Sequence, residues 1–107
     1  MIDRHFAHFN VAGFTYYDGA EIFNELKIGT ELTAVPEPQN TYDALAVALY
    51  FKGKKIGFIP RVSNAQISKL LNHGHVNLFD FRINRLKPDA YPEEQVGVVV
   101  KIRPLPV

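Results

Sequence analysis

Ala44-Leu45-Ala46-Val47-Ala48-Leu49-Tyr50-Phe51-Lys52-Gly53-Lys54-Lys55-Ile56-Gly57-Phe58-Ile59 carries the longest apolar run of the chain, then a short polar break and a second apolar stretch. An uninterrupted run over Ala44–Phe51 is the pattern of a central strand buried on both faces. Lys52-Gly53-Lys54 supplies the turn, and Lys55–Ile59 returns as the second arm of a hairpin. Around this hairpin the chain alternates short strands with two helices. Upstream, Thr30–Val35 reads as a strand, and Phe6–Tyr17 as one or two strands broken near Gly13. Downstream, His75–Leu86 places Phe79, Phe81 and Ile83 on one face, and Val96–Arg103 turns Val96, Val98, Val100 and Ile102 inward.

The first helix is predicted over Asp18–Lys27, with Asp18 and Glu21 as a capping box, Ile22, Phe23 and Leu26 as its apolar face and Gly29 as its stop. The second is predicted over Ser63–His73, capped by Ser63 and Gln66, with Ile67, Leu70 and Leu71 facing inward and Gly74 at the C′ position. About six short strands and two short helices give a mainly β, α+β chain. A small barrel suits it best, because an open sandwich would leave more hydrophobic edge exposed. The reading is of one domain over residues 1–107, with Val47, Leu49, Ile56, Ile67, Leu70, Val98 and Val100 in a shared core.

The chain has 107 residues, 47% of them hydrophobic, which is enough to bury a core without disulfides or metal. Cysteine is absent, and that removes disulfide scaffolds, zinc ribbons and thiol chemistry together. The N-terminal residues show no apolar signal core, and the run at Ala44–Phe51 is too short to span a bilayer. The expectation is a soluble, cytoplasmic protein with no membrane partner. Net charge is +1, yet residues 1–50 hold two basic and seven acidic side chains while residues 51–107 hold ten and four.

His5 and His8, then His73 and His75, match no common zinc spacing, so no metal site is expected. Neither Ser63 nor Ser68 stands in a nucleophile elbow, and no phosphate-cradling glycine loop is present. The expectation is therefore no enzyme and no cofactor. Three polar or aromatic clusters remain. Gln39, Asn40, Tyr42 and Asp43 follow two prolines on the loop that enters the buried strand. Tyr16 and Tyr17 are adjacent, which on a strand would send them to opposite faces. Arg61 stands just before the second helix. An exposed ring, a polar loop and an arginine at a helix N-terminus would serve stacking, edge hydrogen bonding and phosphate contact. Asn and Asp also form turns by bonding their own backbone, which is the plainer use of Asn40 and Asp43.

Taken in order, Val11-Ala12-Gly13-Phe14-Thr15-Tyr16-Tyr17-Asp18-Gly19, then Glu37-Pro38-Gln39-Asn40-Thr41-Tyr42-Asp43-Ala44-Leu45-Ala46-Val47, then Lys55-Ile56-Gly57-Phe58-Ile59-Pro60-Arg61 resemble the HIRAN domain family over about residues 6–103. The resemblance implies a modified OB-like β-barrel of the stand-alone, bacterial or phage type. It also implies nucleic-acid binding, above all of single-stranded DNA and its free 3′ end. The setting it implies is DNA repair or replication-fork processing alongside separate repair or replication proteins. By the same resemblance the contacts fall to Tyr16, Tyr17, Asn40, Tyr42, Asp43 and Arg61. Thr15 stands where end-binding members carry arginine, and Gln39 where they carry asparagine. The alternative is a protein-interaction adaptor that keeps the barrel without DNA binding.

Overall fold

The computed structural model describes residues 2–105. Six strands form one antiparallel sheet: β1 (His5–Asn10), β2 (Glu31–Pro36), β3 (Val47–Phe51), β4 (Lys54–Phe58), β5 (Phe79–Leu86) and β6 (Val96–Ile102), in the order β1-β6-β5-β2-β3-β4. Two helices accompany them, α1 (Gly19–Ile22) and α2 (Arg61–Asn72). β2 is shared between the two halves of the sheet. Glu31 and Leu32 pair with Arg82 and Phe81 of β5, whereas Thr33–Pro36 pair with Tyr50–Val47 of β3. This hand-over curls the sheet into the expected OB-like small barrel. The two edge strands then meet at one point, where Ala12, just past β1, exchanges backbone hydrogen bonds of 2.8 and 2.9 Å with Phe58 of β4. Gly57 makes that meeting possible. Its φ is +149°, and a Cβ there would lie 2.4 Å from the Ala12 carbonyl oxygen.

The hairpin predicted from the apolar runs is present, with Lys52 and Gly53 both at positive φ in a two-residue turn between Phe51 and Lys54. β3 is shorter than the apolar run, since Ala44–Ala46 form the turn that leads into it. Val47, Leu49, Ile56, Ile67, Val98 and Val100 are fully buried in one core. Leu70 only flanks that core, and Leu71 takes the buried place one position on. Ile102 is 39% exposed rather than inward, because β6 outruns the core at its end.

Both helix starts differ from the expectation. α1 has only four residues before a 3-10 turn over Phe23–Glu25, and Asp18 makes no side-chain cap; Glu21 lies 4.0 Å from Lys54 instead. α2 begins at Arg61, with Pro60 as N-cap and no side-chain cap, so Ser63 lies inside its first turn. Pro60 fixes φ at the turn into the helix, and its carbonyl accepts from the Ser63 N–H at 2.9 Å, so that third-position amide has a partner without a side-chain cap. The C-terminal end is as expected. Gly74 at φ +92° lets its N–H reach the Leu71 carbonyl and that of His75 reach the Leu70 carbonyl, a Schellman ending. Phe14–Tyr16 is a 3-10 turn, not a strand, so the alternation that separated the two tyrosines does not apply.

Candidate functional site

The loop from Glu37 to Ala46 is held by its own polar side chains. Asn40 Oδ1 accepts hydrogen bonds from the backbone N–H groups of Tyr42 (2.8 Å) and Asp43 (3.1 Å), while Asn40 Nδ2 donates to Glu37 Oε1 at 3.0 Å. Asp43 Oδ1 accepts from the Leu45 N–H at 2.9 Å. Its other oxygen accepts from Asn64 Nδ2 at 2.9 Å, and Asn64 is a buried residue of α2. The loop is thus clamped to the helix as well as to itself. The turn-forming use of Asn40 and Asp43 is real in this molecule. It leaves the loop rigid and its remaining groups fixed in direction.

β4 and α2 complete the surroundings. Arg61, at the first position of α2, donates from its guanidinium to the Tyr42 carbonyl at 2.6 Å and lies 3.8 Å from Asp43 Oδ2. Most of its side chain remains exposed. Lys55 of β4 pairs with Glu37 at 2.9 Å and sits 4.9 Å from the Tyr17 ring centre and 4.4 Å from that of Phe58. Tyr17 meets Phe58 edge-on, with centroids 5.6 Å apart. These walls enclose an open groove of about 370 Å³. Its floor is Ala12, Ala46, Phe58 and Ile59, and its polar rim is Asn40, Asp43, Lys55 and Arg61.

Tyr17, Asn40, Tyr42, Asp43 and Arg61 therefore converge on one groove from three separate segments. Tyr16, 86% exposed, does not line it. Neither tyrosine of the pair is in the core; the Phe14 ring fills that place, lying against Gly19. Thr15, on the same 3-10 turn, is exposed. Lys55, Glu37 and Asn64 were not singled out from the sequence. Asn64 carried a usable signal, since it stands three residues before Ile67 on the helix stripe that faces the core, where a polar side chain needs a partner.

The electrostatics suit a groove that stays charged at neutral pH. Hydrogen bonds from the Leu45 amide and from Asn64, with the Arg61 charge beyond, hold the Asp43 carboxyl below its ordinary value. Burial pushes Glu37 up, but the hydrogen bonds from Asn40 and Lys55 and the Lys55 charge outweigh it, so Glu37 also lies low. Asp43, Lys55 and Arg61 thus edge a largely apolar floor flanked by an 86%-exposed tyrosine ring, Tyr42, with Glu37 paired to Lys55 behind the rim. That arrangement can stack a planar group, take a phosphate on Arg61 and accept a hydrogen bond at Asp43. Among the described residues no cluster of three or more His, Asp or Glu side chains could hold a metal, and no helix is long and apolar enough to cross a membrane.

Comparison with known proteins agrees with this architecture. The HIRAN domain model matches residues 5–102. A crystal structure of a protein from Lactobacillus plantarum is similar at a TM-score of 0.76 and 19% identity, covering 92% of this chain and 93% of that one. The crystal structure of the HIRAN domain of human HLTF is similar at a TM-score of 0.68 and 12% identity, covering 90% of this chain and 73% of that one. No curated protein sequence matches the chain.

Proposed function

The chain belongs to the HIRAN domain family, and we propose that it is a binding module, not an enzyme, which takes single-stranded DNA by its free 3′ end in the groove between the Glu37–Ala46 loop, β4 and α2. The reading rests on one observation. Tyr17, Asn40, Tyr42, Asp43 and Arg61, spread over three segments, share one groove with a largely exposed ring, Tyr42, at its rim. In this reading Tyr42 and Tyr17 stack on the terminal bases. Arg61, at the start of α2, takes the phosphate between them. Asn40 holds the loop in shape, and Asp43 accepts a hydrogen bond from the terminal hydroxyl. With Thr15 in place of an arginine, phosphate contact falls mainly to Arg61. The biological setting would be DNA repair or fork processing, alongside separate partner proteins.

A 3′-phosphate would place an anion against the Asp43 carboxylate in a partly dried groove, where repulsion is weakly screened. Fluorescence anisotropy with short single strands should show free 3′ ends binding roughly tenfold or more tightly than 3′-phosphorylated ones. Asp43→Asn should bring the two affinities together. Tyr42→Ala should weaken both, and more than Tyr16→Ala does, because the Tyr16 ring lies off the groove. Equal binding of both ends by the unaltered protein would remove the end-reading step and leave general strand binding. No binding of any strand at low salt would overturn the reading in favour of a protein-interaction adaptor.

A further inference from the structure

The two edges of the curled sheet are treated differently. The outer edge of β4 is covered. The 3-10 turn at Phe14–Tyr16 and α1 pack beside it, and the Asp18 N–H donates to the Lys55 carbonyl at 3.0 Å. Among the described residues the outer edge of β1 has no such cover. The ladder with β6 fixes which groups face outward. Val11 N–H bonds the Val96 carbonyl, so in this antiparallel register Ala7 and Phe9 bond toward β6, and His8 and Asn10, opposite Val99 and Gly97, turn their N–H and C=O groups away from it. Among the described residues none of these outward groups meets a backbone partner.

Ala12, two residues further on and with the same parity, shows what this edge accepts: it exchanges both of its bonds with Phe58. β4 would have continued that pairing along β1, but Pro60 ends it and α2 carries the chain aside. The place of the missing strand is a slot between β1 and the first turns of α2. It runs as two adjoining cavities of about 430 and 420 Å³, with His8, Asn10 and Phe6 on the strand side and Val62, Ser63 and Ala65 on the helix side. Val62 is 95% exposed at its mouth. β1 also lacks the lysines and prolines with which edge strands commonly discourage pairing.

We infer that this slot takes an extended segment of a partner protein as an added strand, antiparallel to β1, in line with β4. The backbone groups at His8 and Asn10 demand a strand, and Val62 and Ala65 favour small apolar side chains along it. Charge sets its direction and composition. Arg4 and Lys101 stand together at the start of β1 against Asp3 alone, while Glu93 borders the far end. An antiparallel segment therefore carries its acidic residue toward its C-terminal end. A second copy of this chain suits the slot less well, since its own β1 is already paired along the opposite edge to β6 and would have to bring that sheet in beneath α2. The slot meets the proposed nucleic-acid groove at Ala12, which lines both, but does not depend on it.

The test uses the full chain labelled with nitrogen-15 and a synthetic peptide of alternating valine and threonine with a glutamate near its C-terminus. Binding should slow amide hydrogen exchange at His8 and Asn10 selectively. Methylating the peptide nitrogens that would face β1 should weaken binding roughly tenfold or more, because the strand bonds are lost. Val62→Asp, a change at a fully exposed site, should do the same without lowering thermal stability. Equal affinity of the methylated peptide, protection that appears elsewhere, or no binding at millimolar peptide would overturn the proposal. Concentration-dependent dimerisation with protection of His8 and Asn10 in the absence of peptide would overturn it in favour of a second copy.

Discussion

Gly57→Ala strikes the point where the barrel closes. The backbone at this position has φ +149°, which costs a residue with a Cβ about 1–3 kcal/mol. The added carbon would also lie 2.4 Å from the Ala12 carbonyl oxygen and 2.5 Å from Val11 Cγ1, and the oxygen belongs to backbone that cannot simply swing away. Relief requires β4 and the Val11–Ala12 segment to separate, which endangers the two bonds of 2.8 and 2.9 Å between Ala12 and Phe58. Each is worth about 0.5–1.5 kcal/mol. The expected loss is about 2–6 kcal/mol, or a fall in Tm of roughly 10–30 °C for a chain of this size. Gly53→Ala is the internal comparison. Its φ is +80° and nothing lies within 4 Å of the added carbon, so it should lose only about 1–2 kcal/mol. Urea denaturation of both variants, with amide exchange at Ala12 and Phe58, measures the difference. Equal losses at the two positions, or full protection of Ala12 in the Gly57 variant, would refute the closure argument.

Ile67→Ala should cost about 2–5 kcal/mol in denaturant melts, and Leu70→Ala clearly less, because Ile67 is fully buried and Leu70 only flanks the core. A larger loss at Leu70 would mean that α2 docks in a different rotation. Nucleic-acid affinity should fall gently with salt, with a log–log slope matching about one or two neutralised phosphates, since Lys55 is already held by Glu37; a slope several times steeper would place the contact elsewhere. Asp43 and Glu37 both have folded-state values below their unfolded ones, so the stability they add is complete above pH about 4 and drains as pH falls through that value toward their lowered folded ones. Asp43→Asn should flatten the fall of Tm on acidification below pH about 4, and an unchanged acid limb would show that Asp43 contributes nothing to it.

Much of this molecule was legible because its elements carry strong local patterns. The Val47–Phe58 hairpin, the inward rows of β5 and β6 and the Gly74 helix ending follow from periodicity and turn chemistry alone. The apolar and aromatic residues of Phe14–Tyr17 suit a strand equally well by pattern, and the 3-10 turn brings the Phe14 ring against Gly19, a contact that periodicity does not show. At the start of α2, Ser63 and Gln66 form a capping pattern that points two residues too far on, because the helix begins directly after Pro60 and the Ser63 N–H bonds the Pro60 carbonyl. In the groove, the loop residues stood out as a polar cluster. Lys55 did not, since its role depends on Tyr17, Phe58 and Glu37, which meet it only once the sheet has curled. The division of β2 between two partners is likewise a long-range fact, with no trace in the residues of β2 themselves.

The pairing of β1 with β6 has a consequence for how the chain acquires its structure. His8 lies opposite Val99, so the first strand waits for a partner roughly ninety residues away, a long-range contact of the kind that slows folding. During synthesis β2, β3 and β4 can find one another as soon as they emerge, and β5 can join them. Phe6, Ala7 and Phe9 meanwhile have no sheet to enter. Until Val96–Ile102 leaves the ribosome, β1 is unpaired along both edges, the kind of exposed strand that favours aggregation.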